Sequence, residues 1–141
     1  MPQEYVLAAS AARTTTVGTN GTSTLVGGYH KRALVVLNVT ASATNAADTL
    51  DVYVDVSPDG TLWLPAVHYG QQAGNGAAKT EFAILDPTNP GTATILATSD
   101  PAVSTVRPGA WGKYIRTRWV IVDGGGAGDP SHTFSVTAYV Q

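Results

Sequence analysis

Leu50-Asp51-Val52-Tyr53-Val54-Asp55-Val56-Ser57-Pro58-Asp59-Gly60 is the stretch on which the fold turns. Leu50, Val52, Val54 and Val56 alternate with Asp51, Tyr53 and Asp55, and a period of two belongs to an extended strand whose two faces meet different surroundings. The apolar side is expected to face a core, and Asp51, Tyr53 and Asp55 to face water. The strand is expected to stop at Ser57-Pro58-Asp59-Gly60, where Pro58 fixes φ at the first corner and Gly60 accepts the positive φ that closes the turn. Residues 61–69, with Leu62, Trp63, Leu64 and Val67, read as the returning strand of a hairpin, in which Pro65 marks an edge or a bulge.

Working outward, residues 32–40 hold the continuous apolar run Ala33-Leu34-Val35-Val36-Leu37-Asn38-Val39-Thr40, rich in β-branched residues and short enough for a central strand buried on both sides. In residues 133–140, Phe134, Val136, Ala138 and Val140 alternate with Thr133, Ser135, Thr137 and Tyr139, a half-buried strand expected to lie paired inside a sheet. Residues 114–122 alternate as well, with Ile115, Thr117, Trp119 and Ile121 assigned to the inner face. Weaker strand signals fall at 5–8, 13–17, 22–26, 79–85, 93–97 and 103–106. Loops rich in Gly, Pro, Asn, Asp and Ser are expected at 70–78, 86–91, 98–101 and 123–131. No window carries helical spacing with caps. The chain therefore reads as one all-β domain over residues 1–141, an antiparallel β-sandwich, jelly-roll-like, with about eight strands and little or no helix.

Composition narrows the function. Charged residues make up 13% of the chain and its net charge is −2, so the basic footprint of a nucleic-acid binder is missing. Without cysteine there are no disulfides or thiolate metal sites. No segment reaches the roughly 20 apolar residues of a membrane span. Glu4 stands where a secretory leader carries its basic residues, so export is not expected.

Little chemistry emerges from the spacing. His30, His68 and His132 lack partners at zinc-site spacing and read as ordinary surface or loop residues. Asp48, Asp51, Asp55 and Asp59 cluster in one hairpin, but Asp51 and Asp55 share the face opposite the valines and read as solvated. The glycines at 124–128 precede a strand, not the helix that a phosphate cradle needs. No nucleophile, base and orienting acid group together, so no enzyme, cofactor or metal is expected. Trp111, in a loop, is the one candidate platform for a sugar ring, with Tyr114 and Tyr29 beside it in the reading. Arg107, Lys113, Arg116 and Arg118 form a basic stretch that complements the acidic 48–59 region. Two readings of that asymmetry stand side by side: a repeated contact between copies, or internal cross-strand pairing. Tyr29, Trp111, Tyr114, Arg116 and Arg118 are thus the candidate contact residues for a subunit or ligand.

Residues 33–40, 50–60 with Trp63, 114–119 and 133–137 together resemble small structural proteins encoded among tailed-bacteriophage head and tail genes. The resemblance spans residues 32–140 and is one of strands and turns. It implies a virion location after synthesis in the bacterial cytoplasm, with the major capsid protein or other virion proteins as partners. A capsid decoration (cement) subunit stabilising the head is the first expectation, and a head-tail or tail accessory protein the alternative. A homo-oligomer is implied, a trimer by preference, with residues 1–28 as an extended N-terminal arm that could pair with a neighbour's sheet edge. A carbohydrate-binding sandwich is the alternative from another class.

Overall fold

The computed structural model describes residues 1–15, 24–26, 30–91 and 96–141. Its strands are β1 (Gln3–Arg13), β2 (Thr24–Leu25), β3 (Ala33–Ala41), β4 (Thr49–Ser57), β5 (Leu64–His68), β6 (Gln72–Ala73), β7 (Lys79–Leu85), β8 (Thr105–Val106), β9 (Tyr114–Val122) and β10 (His132–Val140). They form two antiparallel sheets. The four-stranded sheet has the order β1-β10-β3-β7; the six-stranded sheet runs β2-β9-β4-β5-β8, with β6 alongside β4. Among the described residues there is no helix.

Alternation explains how the sheets meet. Val35, Leu37 and Val39 of β3 and Phe134, Val136, Ala138 and Val140 of β10 point inward from the smaller sheet. They meet Leu50, Val52, Val54 and Val56 of β4 and Ile115 of β9 from the larger one. All are buried, and the side chains of both inner faces fill the layer between the sheets. Tyr69 ties the layers together by donating its hydroxyl to the Val35 carbonyl at 2.8 Å. Burial, aided by the nearby charge of Glu81, pushes this phenol far above its usual pKa, so it remains a donor.

The turn after β4 follows its sequence. Gly60 adopts a φ of 84°, and the Ser57 hydroxyl accepts from Gly60 N at 2.8 Å. Asp59 Oδ1 accepts from the amides of Leu62 and Thr61, each at 2.8 Å. Those two amide bonds, that of Leu62 foremost, hold the Asp59 carboxyl down at about 2. Pro65 sits at a register shift in the β4–β5 pair, as a bulge residue should. Strand pairing resumes only at Leu64, so the returning strand is shorter than the 61–69 expected.

Two expectations about which strand is doubly buried are reversed. β3 is central in its sheet, between β10 and β7, but Leu34 and Asn38 face solvent and Val36 is only half-buried. Among the described residues nothing is layered over that side. β4 is instead the strand covered on both faces, with Asp51, Tyr53, Asp55 and Ser57 buried. On its outer side lie His68 of β5, Arg116 and Arg118 of β9, and Asp100 and Pro101 bonded to them. Residues 3–13 of the expected arm form β1, an edge strand paired with β10 of the same chain. The signals at 13–17, 22–26 and 93–97 fall partly outside the described residues.

Candidate functional site

The polar side chains of β4 and β9 meet because the antiparallel register sets Asp55 opposite Arg116 and Tyr53 opposite Arg118. Asp55 is only 1% exposed. It accepts from Arg116 Nε at 2.9 Å and from Arg118 Nε at 2.9 and 3.2 Å. Arg118 continues to Asp100, through Nη1 at 3.3 Å and a shorter bond from Nη2. Burial, the largest single influence, pulls this guanidinium's pKa down, but the bonds and charges of Asp55 and Asp100 outweigh it and leave it raised. Both guanidiniums also cover aromatic rings: Arg116 lies 4.1 Å from the centre of Trp63 and Arg118 4.1 Å from that of Tyr53. Such cation–π contacts gain strength as water is excluded.

The network extends along β4. Tyr53 stacks on His68 with ring centres 4.2 Å apart, and burial, then the charges of Asp51 and Asp100, raise the phenol's pKa against the opposing pull of Arg118. His68 Nδ1 lies 3.0 Å from the Pro101 carbonyl and Nε2 2.9 Å from Asp51 Oδ1. A carbonyl only accepts, so Nδ1 carries a hydrogen and donates. Asp51 also accepts from Gln71 Nε2 at 2.8 Å. With both ring nitrogens engaged, His68 has no lone pair turned toward an incoming group. The His68 ring thus ties Pro101 to Asp51 of β4. Arg107 fastens the same covering segment by donating Nη1 to the carbonyls of Ser99, Ala97 and Pro65 at 2.7, 2.8 and 3.0 Å.

A second buried histidine lies at the start of β10. His132 is fully buried, and neither ring nitrogen has a hydrogen-bonding partner among the described residues. Burial lowers its pKa from the ordinary 6.5, partly opposed by the charge of Asp48. Asp48 itself joins three loops: its Oδ1 accepts from Gly124 N at 2.9 Å, its carbonyl accepts from Gly74 N at 2.7 Å, and its amide donates to Asn45 O at 3.1 Å. Since the folded state binds a proton at His132 less readily than the unfolded state does, stability falls as pH drops below about 6.5 toward the lowered value. Urea midpoints at pH 7.5 and 5.5 should show this loss. His132→Leu should remove that part of the slope, and an unchanged slope would place its origin elsewhere.

The candidate contact residues therefore occupy different settings. Tyr29 lies outside the described residues. Trp111 is half-buried against the core. Tyr114 lies over the turn at Gly60, where an added Cβ would come within 3.4 Å of its ring. Arg116 and Arg118 project from the same side of β9 onto Asp55, so internal cross-strand pairing is the reading of the charge asymmetry that the geometry displays. The reading of His68 and His132 as surface or loop residues is corrected, because both are buried, as are Asp51 and Asp55. His132 was signalled by its phase, two residues before Phe134 on the inward side. Asp100 and Gln71 lie in irregular segments and carried no periodic signal. No protein-family model and no curated protein sequence matches the chain.

An open cleft of about 370 Å³ lies between β7 and β8, lined by Val67, Tyr69, Phe82, Ala83, Thr105 and Val106 among others. At its rim Glu81 and Lys79 are bonded to the backbone of Gly70. Gly70 N donates to Glu81 Oε2 at 2.9 Å, and Lys79 Nζ donates to Gly70 O at 2.6 Å.

Proposed function

We propose that the chain is a structural subunit that works by surface contact rather than catalysis, of the tailed-phage virion type, with head decoration as its first role. The observation that carries this reading is the contrast between the two outer faces of the sandwich. On the larger sheet Asp51, Asp55, His68 and Arg118 are spent on one another and on Asp100 and Pro101, whereas the smaller sheet turns Val6, Leu34, Phe82, Ile84 and Tyr139 to solvent. An apolar patch rimmed by hydroxyl and amide groups is characteristic of a contact surface. Trp111, packed on the core, offers less to a sugar ring than an exposed indole would, which favours assembly over the carbohydrate-binding alternative.

Purified protein should co-sediment with phage head lattices lacking their decoration and raise the temperature at which those heads rupture. Binding to tails alone would move the role to a tail accessory. A protein that ignores heads and tails alike overturns the virion reading.

A further inference from the structure

We infer that the outer face of the four-stranded sheet is a two-fold contact surface for a second copy of this chain; this rests on the assembly reading above and names its interface. The register fixes the layout. Tyr139, Leu34 and Ile84 stand in one cross-strand row, and Thr137, Val36 and Phe82 in the next, with Val6 opposite Thr137. Phe82 is 67% exposed, Val6 55% and Ile84 52%, more than scattered surface apolar residues require.

Three features commit the surface to its own kind. First, the outward positions of β10, β3 and β7 carry no charge. Beyond the apolar rows they present Ser135, Asn38 and Thr80, the last two hydrogen-bonded at 3.0 Å, and Glu4 sits at one corner. With Glu4 and Arg32 confined to one end, the rows between offer a nucleic acid or a strongly charged protein no charge to pair with, but they suit an identical neutral face. Second, the area suffices. Four strands about 4.8 Å apart and nine residues at about 3.4 Å each give a footprint of roughly 600 Å² per copy. Two such faces bury about 1,200 Å², above the roughly 1,000 Å² of a specific interface. Third, the surface has a knob and a hollow. A depression of about 320 Å³ is bounded by Leu34, Ile84 and Tyr139 with Pro2, Arg32 and Gln141 at its end, one row from Phe82. A two-fold axis lying between those rows sets each Phe82 against the other copy's hollow.

The sheet's edges are less available than its face. β1 carries two register shifts, and Arg13 caps it by donating Nη2 to Ala9 O at 2.6 Å and Nη1 to Ala11 O at 3.0 Å. β7 is held through Glu81 and Lys79 to Gly70. Face-to-face contact between identical surfaces is isologous and closes at two copies, whereas a trimer needs a heterologous contact.

Sedimentation velocity on the intact chain tests this. The wild-type protein should run as a dimer, and Phe82→Glu should weaken the dimer at least about thirty-fold while leaving the far-UV circular dichroism unchanged. Mixing Phe82→Glu with Leu34→Lys should restore part of the association. If Phe82→Glu folds poorly, Ile84→Lys reads the same contact. A trimer, a dimer indifferent to these variants, or a monomer at high concentration overturns the inference. A monomer that still coats phage heads does so while supporting the virion reading; a face-dependent dimer that binds no particle supports the inference and removes that reading.

Discussion

Replacing Asp55 with Ala should cost about 3–5 kcal/mol of folding stability, the range for breaking a buried ion pair from one side. The carboxylate is almost completely shielded and is held by both Arg116 and Arg118. Its removal takes a shared buried carboxylate away from both guanidiniums. Arg118 keeps Asp100, whose side chain is 46% exposed and therefore a weaker, better-screened partner. Arg116 keeps the Trp63 ring. Because Asp55 and Arg118 share one buried contact, Asp55→Leu combined with Arg118→Leu should be less damaging than the two single changes added together. Urea denaturation followed by circular dichroism measures both. A loss below about 1 kcal/mol for Asp55→Ala would mean that water screens the pair in solution.

Phe134→Ala should cost a similar 3–5 kcal/mol, by a different route. Phe134 is fully buried and meets Trp119 edge-on, with ring centres 5.4 Å apart and planes at 79°. The Arg13 guanidinium lies 4.4 Å from the centre of Phe134 and 4.8 Å from that of Trp119, and donates to the Phe134 carbonyl at 2.7 Å. Truncation opens a cavity under the end of β1 and removes one of the two rings that Arg13 packs on. Hydrogen exchange should accelerate in residues 8–13 beyond the global loss of stability. Phe134→Leu keeps most of the volume and should cost less than about 1.5 kcal/mol. Equal losses for Ala and Leu would show that ring geometry, not cavity formation, sets the energy.

The residues that could be read in advance are those whose partners are close in sequence or whose surroundings alternate cleanly. Ser57 to Gly60 closes its turn with its own side chains. β10 shows the same period-two pattern in burial as in residue type. Asp51 and Asp55 could not be read this way, because their partners come from other elements: His68 and Gln71 for Asp51, 17 and 20 residues on, and Arg116 and Arg118 of β9 for Asp55, 61 and 63 residues on. Partial information was nevertheless present: Arg116 and Arg118 alternate in the same phase as the two aspartates, and antiparallel pairing of their strands would have matched them. β3 misled for the opposite reason. An unbroken apolar run is the mark of a strand covered on both sides, and here one of those sides has no cover among the described residues. A face left apolar in this way shaped the inference of a second copy.

The placement of β10 also governs how the chain can fold. Among the described residues β1 pairs with β10 alone, and β10 also completes the side of β3 away from β7. A nascent chain emerging from the ribosome can close the β4–β5 hairpin early, but it must carry residues 3–13 as an unpaired strand until residues 132–140 emerge. Such long-range closure slows folding and prolongs the exposure of open backbone edges. Low charge offers little electrostatic protection during that wait. The bulges in β1 and the folded-back Arg13 that disfavour strand addition in the finished protein address the same hazard.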